Sequence, residues 1–112
     1  MAVDVQKWFD EDFGAGLMRH ADEARKVNLK FLVRITGQGG GEWWIDPAAG
    51  KVERGDQGGV NLTITMDSST FAKVYDNPQQ GITAGYFAGE VQMAGNTQAG
   101  DKFADLLNLA KQ

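Results

Sequence analysis

The chain has no cysteine among its 112 residues. That excludes disulfides, thiol catalysis and thiolate metal sites, and leaves the redox compartment open. Its one histidine, His20, is tied by no motif to a carboxylate pair, so a serine triad or multi-histidine metal centre lacks parts. His20 reads as an exposed or cap-like helix residue. Nowhere do about 18 apolar residues run together, as a membrane-spanning helix requires. The amino end, Met1 to Lys7, carries acid where a secretory leader needs an apolar run. The carboxyl end, Leu109-Ala110-Lys111-Gln112, is not the peroxisomal Ser-Lys-Leu address. Positive charge is scarce too: 11 Lys and Arg stand against 15 Asp and Glu, a net charge of −4. No basic footprint advertises nucleic acid, and lasting adsorption to anionic lipid is disfavoured, which leaves brief membrane contact through a local patch. A cytoplasmic protein without nucleic-acid partner, metal or cofactor is expected.

What is present suits one compact domain spanning 1–112, with 42% hydrophobic and 23% charged residues. Val5, Trp8, Phe9 and Asp12 fall at helical spacing, predicting an acidic helix with an aromatic face. Gly14 and Gly16 are expected to interrupt it, with a further turn or two carrying Leu17, Met18 and Ala21. Leu29, Phe31, Val33 and Ile35 alternate as a strand. Three turns, Gly37–Gly41, Pro47–Gly50 and Gly55–Gly59, then separate strands at Glu42–Asp46, Lys51–Arg54 and Val60–Met66, and predict an antiparallel meander. Asp67-Ser68-Ser69-Thr70 offers caps for a helix that Asn77-Pro78 stops. A second short helix, Gln79 to Ala84, is expected to end near Gly85. A strand over Glu90–Met93 follows, then a last helix capped by Asn96 or Thr97 with Ala99, Phe103, Leu106, Leu107 and Ala110 as its apolar stripe. The fold class is α+β, a five-stranded mainly antiparallel sheet with helices packed on one face.

Few residues promise reaction chemistry. Asp10-Glu11-Asp12 lacks calcium-loop spacing, because adjacent helical carboxylates diverge, and reads as a solvated helix segment. Gly37-Gln38-Gly39 precedes a strand, so no helix N-terminus is available to hold phosphate. In Trp43-Trp44 the strand pleat sends the two indoles to opposite faces: one enters the core, and the other is half-covered or lies against a hydrophobic ligand. Phe71, Tyr75, Phe87, Met93 and Phe103 suit either a filled core or a lined tunnel, which periodicity alone does not separate.

The order of elements, together with Phe87, Gly89, the strand Glu90–Met93 and Gly95-Asn96 leading into the last helix, resembles the sterol carrier protein 2 (SCP2) domain family. The tryptophan-bearing strand and Leu62-Thr63-Ile64-Thr65-Met66 resemble its middle section. The resemblance implies an apolar tunnel between sheet and helices that accepts fatty acid, fatty acyl-CoA, sterol or phospholipid. The lining residues it implies are Phe31, Val33, Trp44, Ile64, Phe71, Tyr75, Ile82, Phe87, Val91, Met93, Phe103 and Leu107. It implies a non-enzymatic carrier, monomer or weak homodimer, that binds and transfers lipid. The acidic balance, the missing peroxisomal address and the lack of a thiolase partner point to a stand-alone bacterial or archaeal type. Arg19, Arg25, Lys26 and Lys30 are the densest basic cluster; they read first as balancing an acidic surface, and would meet a carboxylate or CoA phosphates if they ring an opening. Two alternatives stay open: an interaction or self-associating module with a filled core, and an accessory domain of a lipid-metabolising enzyme, which would need a polar constellation such as Tyr75 with Glu90.

Overall fold

The computed structural model describes residues 3–112; Met1 and Ala2, the start of the segment expected to carry no leader, lie outside the described residues. Period-two alternation sends one set of apolar side chains to a single sheet face. They come from β1 (Phe31–Thr36), β2 (Gly41–Asp46), β3 (Lys51–Arg54), β4 (Leu62–Asp67) and β5 (Gln92–Gly95). On that face Phe31, Val33, Trp43, Ile45, Leu62 and Ile64 are all fully buried. They share one core with apolar residues of the helical layer, made of α1 (Val5–Lys7), α2 (Phe13–Arg19), α3 (Ala21–Ala24), α4 (Ser68–Asp76), α5 (Pro78–Phe87) and α6 (Gly100–Ala110). The α+β class with a five-stranded sheet is thus what forms.

The strand order, β3-β2-β1-β4-β5, corrects the expected meander. Three ladders are antiparallel, but β4 lies parallel to β1, with Phe31 opposite Leu62 and Thr36 opposite Asp67. The segment Gly55–Asn61 is therefore a crossover rather than a hairpin, and Asn61 is where it is fixed. Its side-chain Oδ1 accepts from Lys30 N at 2.8 Å, and its own N–H donates to Lys30 O at 2.8 Å. Its carbonyl then accepts from Asn96 N at 2.8 Å, which sets where β5 ends. Gly95 sits at φ +101°, and a Cβ there would lie 2.6 Å from the Asn61 carbonyl oxygen. Only glycine fits both demands.

The first helix is not interrupted at its glycines. Between α1 and α2 the chain makes a π-helical turn, Trp8–Asp12, in which Phe13 N–H reaches back to Trp8 O. The wider turn carries Phe13, rather than the expected Asp12, onto the buried face behind Val5, Trp8 and Phe9. Gly16 continues that face, where a Cβ would lie 2.3 Å from the Ala110 carbonyl oxygen. Glycine is what lets α2 and α6 approach. The helix α5 likewise runs through Gly85 to Phe87, because Gly85 packs on Val91, where a Cβ would stand 2.5 Å from Cγ2. Asp67 caps α4 as expected, its Oδ1 accepting from Thr70 N at 2.7 Å. β5 sits two residues later than expected, and a 3-10 turn, Thr97–Ala99, precedes α6. Asn96 makes no side-chain cap there.

Candidate lipid site

Ten of the residues implied for a tunnel come together between sheet and helices: Phe31, Val33, Ile64, Phe71, Tyr75, Ile82, Val91, Met93, Phe103 and Leu107. They are closed against one another. Phe31 and Phe103 have centroids 5.7 Å apart across the layer, and Ile64 stands opposite Met93 on neighbouring strands. Tyr75 meets Trp8 edge to face at 4.9 Å.

Two implied residues are elsewhere. Trp44 lies on the sheet face away from the helices, with Leu32 and Glu53 as its cross-strand neighbours. It is 8% exposed, covered by the crossover rather than half-covered by a helix. Its Nε1 donates to Gly58 O at 2.9 Å, and Lys30 Nζ stands 5.8 Å from its ring. The pleat that buries Trp43 under the helices forces Trp44 to that side. Phe87 is not interior: it is 83% exposed beside Tyr86 at 45%, and the two rings meet at 6.0 Å. The two residues by which α5 runs on beyond Gly85 carry Phe87 past the edge of the core.

Phe87 nevertheless borders the layer. An open groove of about 200 Å³ lies between the end of α5, β5 and the start of α6, lined by Ile82, Thr83, Tyr86, Phe87, Met93 and Gly100 among others. Ile82 and Met93 join this groove to the core, Ile82 as one of its buried members and Met93 by packing against it. From Pro78 to Gly89 the chain carries no charged residue.

The opposite flank is held by charge. Asp10 accepts from Trp43 Nε1 at 2.8 Å and takes Arg54 with both carboxylate oxygens, at 2.9 and 2.6 Å. The Arg54 guanidinium first, then the Trp43 N–H, holds the Asp10 carboxyl below its usual range. Asp10 is thus an anchor rather than a solvated acid, and nothing in its linear spacing to Trp43 or Arg54 signals the contact. The basic cluster does not ring one opening: Arg19 donates to Ala110 O at 3.1 Å, Arg25 pairs with Asp22, and Lys30 covers Trp44. His20 joins α2 to α3, its Nε2 3.4 Å from Gln112 O. Tyr75 and Glu90 line separate grooves. Among the described residues, no group of three or more His, Asp or Glu is placed to hold a metal.

A family model described as the SCP-2 sterol transfer family matches residues 16–108. The chain belongs to that family. No curated protein matches it. Several solved SCP-2 structures share the fold. The apo form of sterol carrier protein 2 from Yarrowia lipolytica superimposes with a TM-score of 0.76 at 16% identity, over 93% of this chain and 89% of that one. Sterol carrier protein 2 from Aedes aegypti, in complex with palmitate, gives 0.71 at 16% identity, over 97% and 98%. Palmitated SCP2L2 from Aedes aegypti gives 0.69 at 19% identity, over 96% and 95%. Membership of the SCP-2 family therefore joins an apolar layer that opens to solvent beside an uncharged helix.

Proposed function

We propose that residues 1–112 act as one lipid-binding unit, taking up fatty acid, fatty acyl-CoA, phospholipid or sterol between sheet and helices and releasing it unchanged. The observation that carries this reading is the groove at α5, lined by Ile82, a member of the core, and by Met93, which packs against that core. The palmitate complex of the Aedes aegypti relative supports it. Each CH₂ moved from water to such a layer is worth about 0.8 kcal/mol, which is enough to hold an acyl chain without bond chemistry.

The groove, at about 200 Å³, falls below the roughly 300–1,000 Å³ of ordinary ligand pockets, so uptake requires the layer to widen. The element built to give way is α5. It holds Gly81 and Gly85 in its interior, and each glycine weakens a helix by about 1 kcal/mol relative to alanine. Tyr86 and Phe87 at its tip would meet a membrane during brief contact. Among the described residues no helix is long and apolar enough to cross one.

Native purification, solvent extraction and mass spectrometry of the extract test the reading, with rebinding followed by tryptophan fluorescence. Near-stoichiometric lipid that rebinds saturably is expected. A clean extract, with no saturable response to fatty acid, acyl-CoA or sterol, would remove it. Concentration-dependent mass would then favour a self-associating module.

A further inference from the structure

We propose that the free edge of β5 is a self-association surface, which pairs antiparallel with β5 of a second copy of this chain and joins two five-stranded sheets into one. The pairing is independent of the lipid-binding reading. The sheet has two edge strands, β3 and β5, and they are finished differently. An open edge presents unpaired N–H and C=O groups to any passing strand, and natural sheets guard it with charge or proline. β3 is guarded, since Lys51, Glu53 and Arg54 are all charged. β5, Gln92–Gly95, has neither charge nor proline. It lies in a run from Asn77 to Gly100 whose one charge is Glu90, although charged residues make up 23% of the chain.

The register shows what β5 offers. Asn96 N donates to Asn61 O at 2.8 Å, and Ala94 and Gln92 stand opposite Thr63 and Thr65 further along the same ladder. Hydrogen-bonded pairs alternate in an antiparallel ladder. Ala94 and Gln92 therefore bond back to β4, and Met93 between them turns its N–H and C=O outward. A two-fold axis at Met93 closes both groups on Met93 of the partner subunit. It sets Gln92 across from Ala94 of the partner subunit, and sends Glu90 toward Asn96 of the partner subunit rather than toward a second Glu90. In a chain of net charge −4, two copies repel over most approaches. This strip meets its own image with no like charges opposed. Met93 also lines the groove with Tyr86 and Phe87, two large apolar side chains that stand exposed. The axis brings the two grooves side by side and gives those rings an apolar neighbour. Asp101, the groove's one charge, sits at the start of α6. The competing account leaves the β5 edge to water and gives Tyr86 and Phe87 to a membrane surface alone.

Sedimentation of the full chain as purified, from about 1 to 500 μM, separates the two: a reversible rise from one chain toward two is expected, in the micromolar range of small interfaces. Gln92 and Ala94 are exposed, so both can be changed without touching the core. Gln92→Glu with Ala94→Glu sets acids across the axis from acids and should weaken pairing at least about tenfold. Gln92→Lys with Ala94→Glu sets each lysine opposite a glutamate and should pair at least as tightly as the parent chain. A chain that stays single at every concentration would overturn the pairing, and its sedimentation with phosphatidylcholine vesicles would then assign the aromatic pair to a membrane. Equal association in both double variants would place the contact on another surface, and loss in both would refute the antiparallel register; either result overturns the pairing. None of these outcomes turns on lipid uptake, so the lipid-binding reading stands or falls separately.

Discussion

The helical layer is fastened in two different ways. On the α2 flank, Phe9 stacks on Trp43 at 4.8 Å beneath a carboxylate that holds both the Trp43 indole and Arg54. Gly16 also lets α2 close against α6. On the α5 flank there is no charge from Pro78 to Gly89, two glycines lie inside the helix, and the aromatic pair at its end faces solvent. Gln79 Nε2 donates to Asp105 and Gln79 Oε1 accepts from Asn108, both at 2.7 Å and both exposed, and these bonds tie α5 to α6. A small domain can keep one flank rigid and concentrate its low-stability elements on the other.

That comparison can be broken most severely at the rigid flank. Phe9→Ala is expected to cost about 3–5 kcal/mol, read from urea unfolding, because the site is closed on every side and cannot collapse readily. Gly16→Val should follow at roughly 1–3 kcal/mol, since α6 must move off α2 to admit the new side chain. A loss below 0.5 kcal/mol in either would show that the α2 flank is looser than its geometry implies. Asp10→Asn is expected to cost of order 1 kcal/mol, discounted for partial exposure. Hydrogen exchange sharpens the contrast without mutation: α5 amides should exchange at least about tenfold faster than those of α2, and equal protection would deny α5 its role. Phe87→Ser should stay within about 0.5 kcal/mol in stability while slowing lipid transfer between vesicles several-fold.

The pH dependence has a definite sign. Asp10 and Asp67 are both held below their ordinary carboxyl range, Asp10 by Arg54 and Asp67 chiefly by the Thr70 backbone N–H. Each therefore adds stability that is fully present above the unfolded carboxylate value of about 3.9. That contribution fades as pH falls through the lower folded value. The urea midpoint should fall on acidification below about pH 4, and less steeply in Asp10→Asn.

Much of this was legible in the chain before folding. Alternation in Leu62–Met66 and the cap at Asp67 read directly as strand and helix, and Lys51–Arg54 was placed to the residue. The apolar strand positions that meet the helices were legible too, because a period of two leaves them no other face. Connectivity was not. The glycine runs Gly37–Gly41 and Gly55–Gly59 look alike locally, yet the first makes a hairpin and the second a crossover. Their difference lies in tertiary bonds at Asn61 and from Trp44 to Gly58. Phe87 resembled a core aromatic because the helix was expected to stop at Gly85, two residues short of its end. Asp10 owes its significance to Trp43 and Arg54, partners distant in sequence, and no spacing rule records them.

The parallel ladder between β1 and β4 also bears on the order of synthesis. β2 and β3 can pair with β1 as soon as the chain reaches Arg54. The other edge of β1 waits for Leu62–Asp67, and β5 and α6 come later still. A nascent chain therefore passes through a stage with its most apolar strand open on one side, the condition in which edge-to-edge pairing with a neighbouring chain competes with folding. Expression at lower temperature or slower translation should relieve that competition, and a fragment ending at Gly59 should aggregate where the full chain stays dispersed.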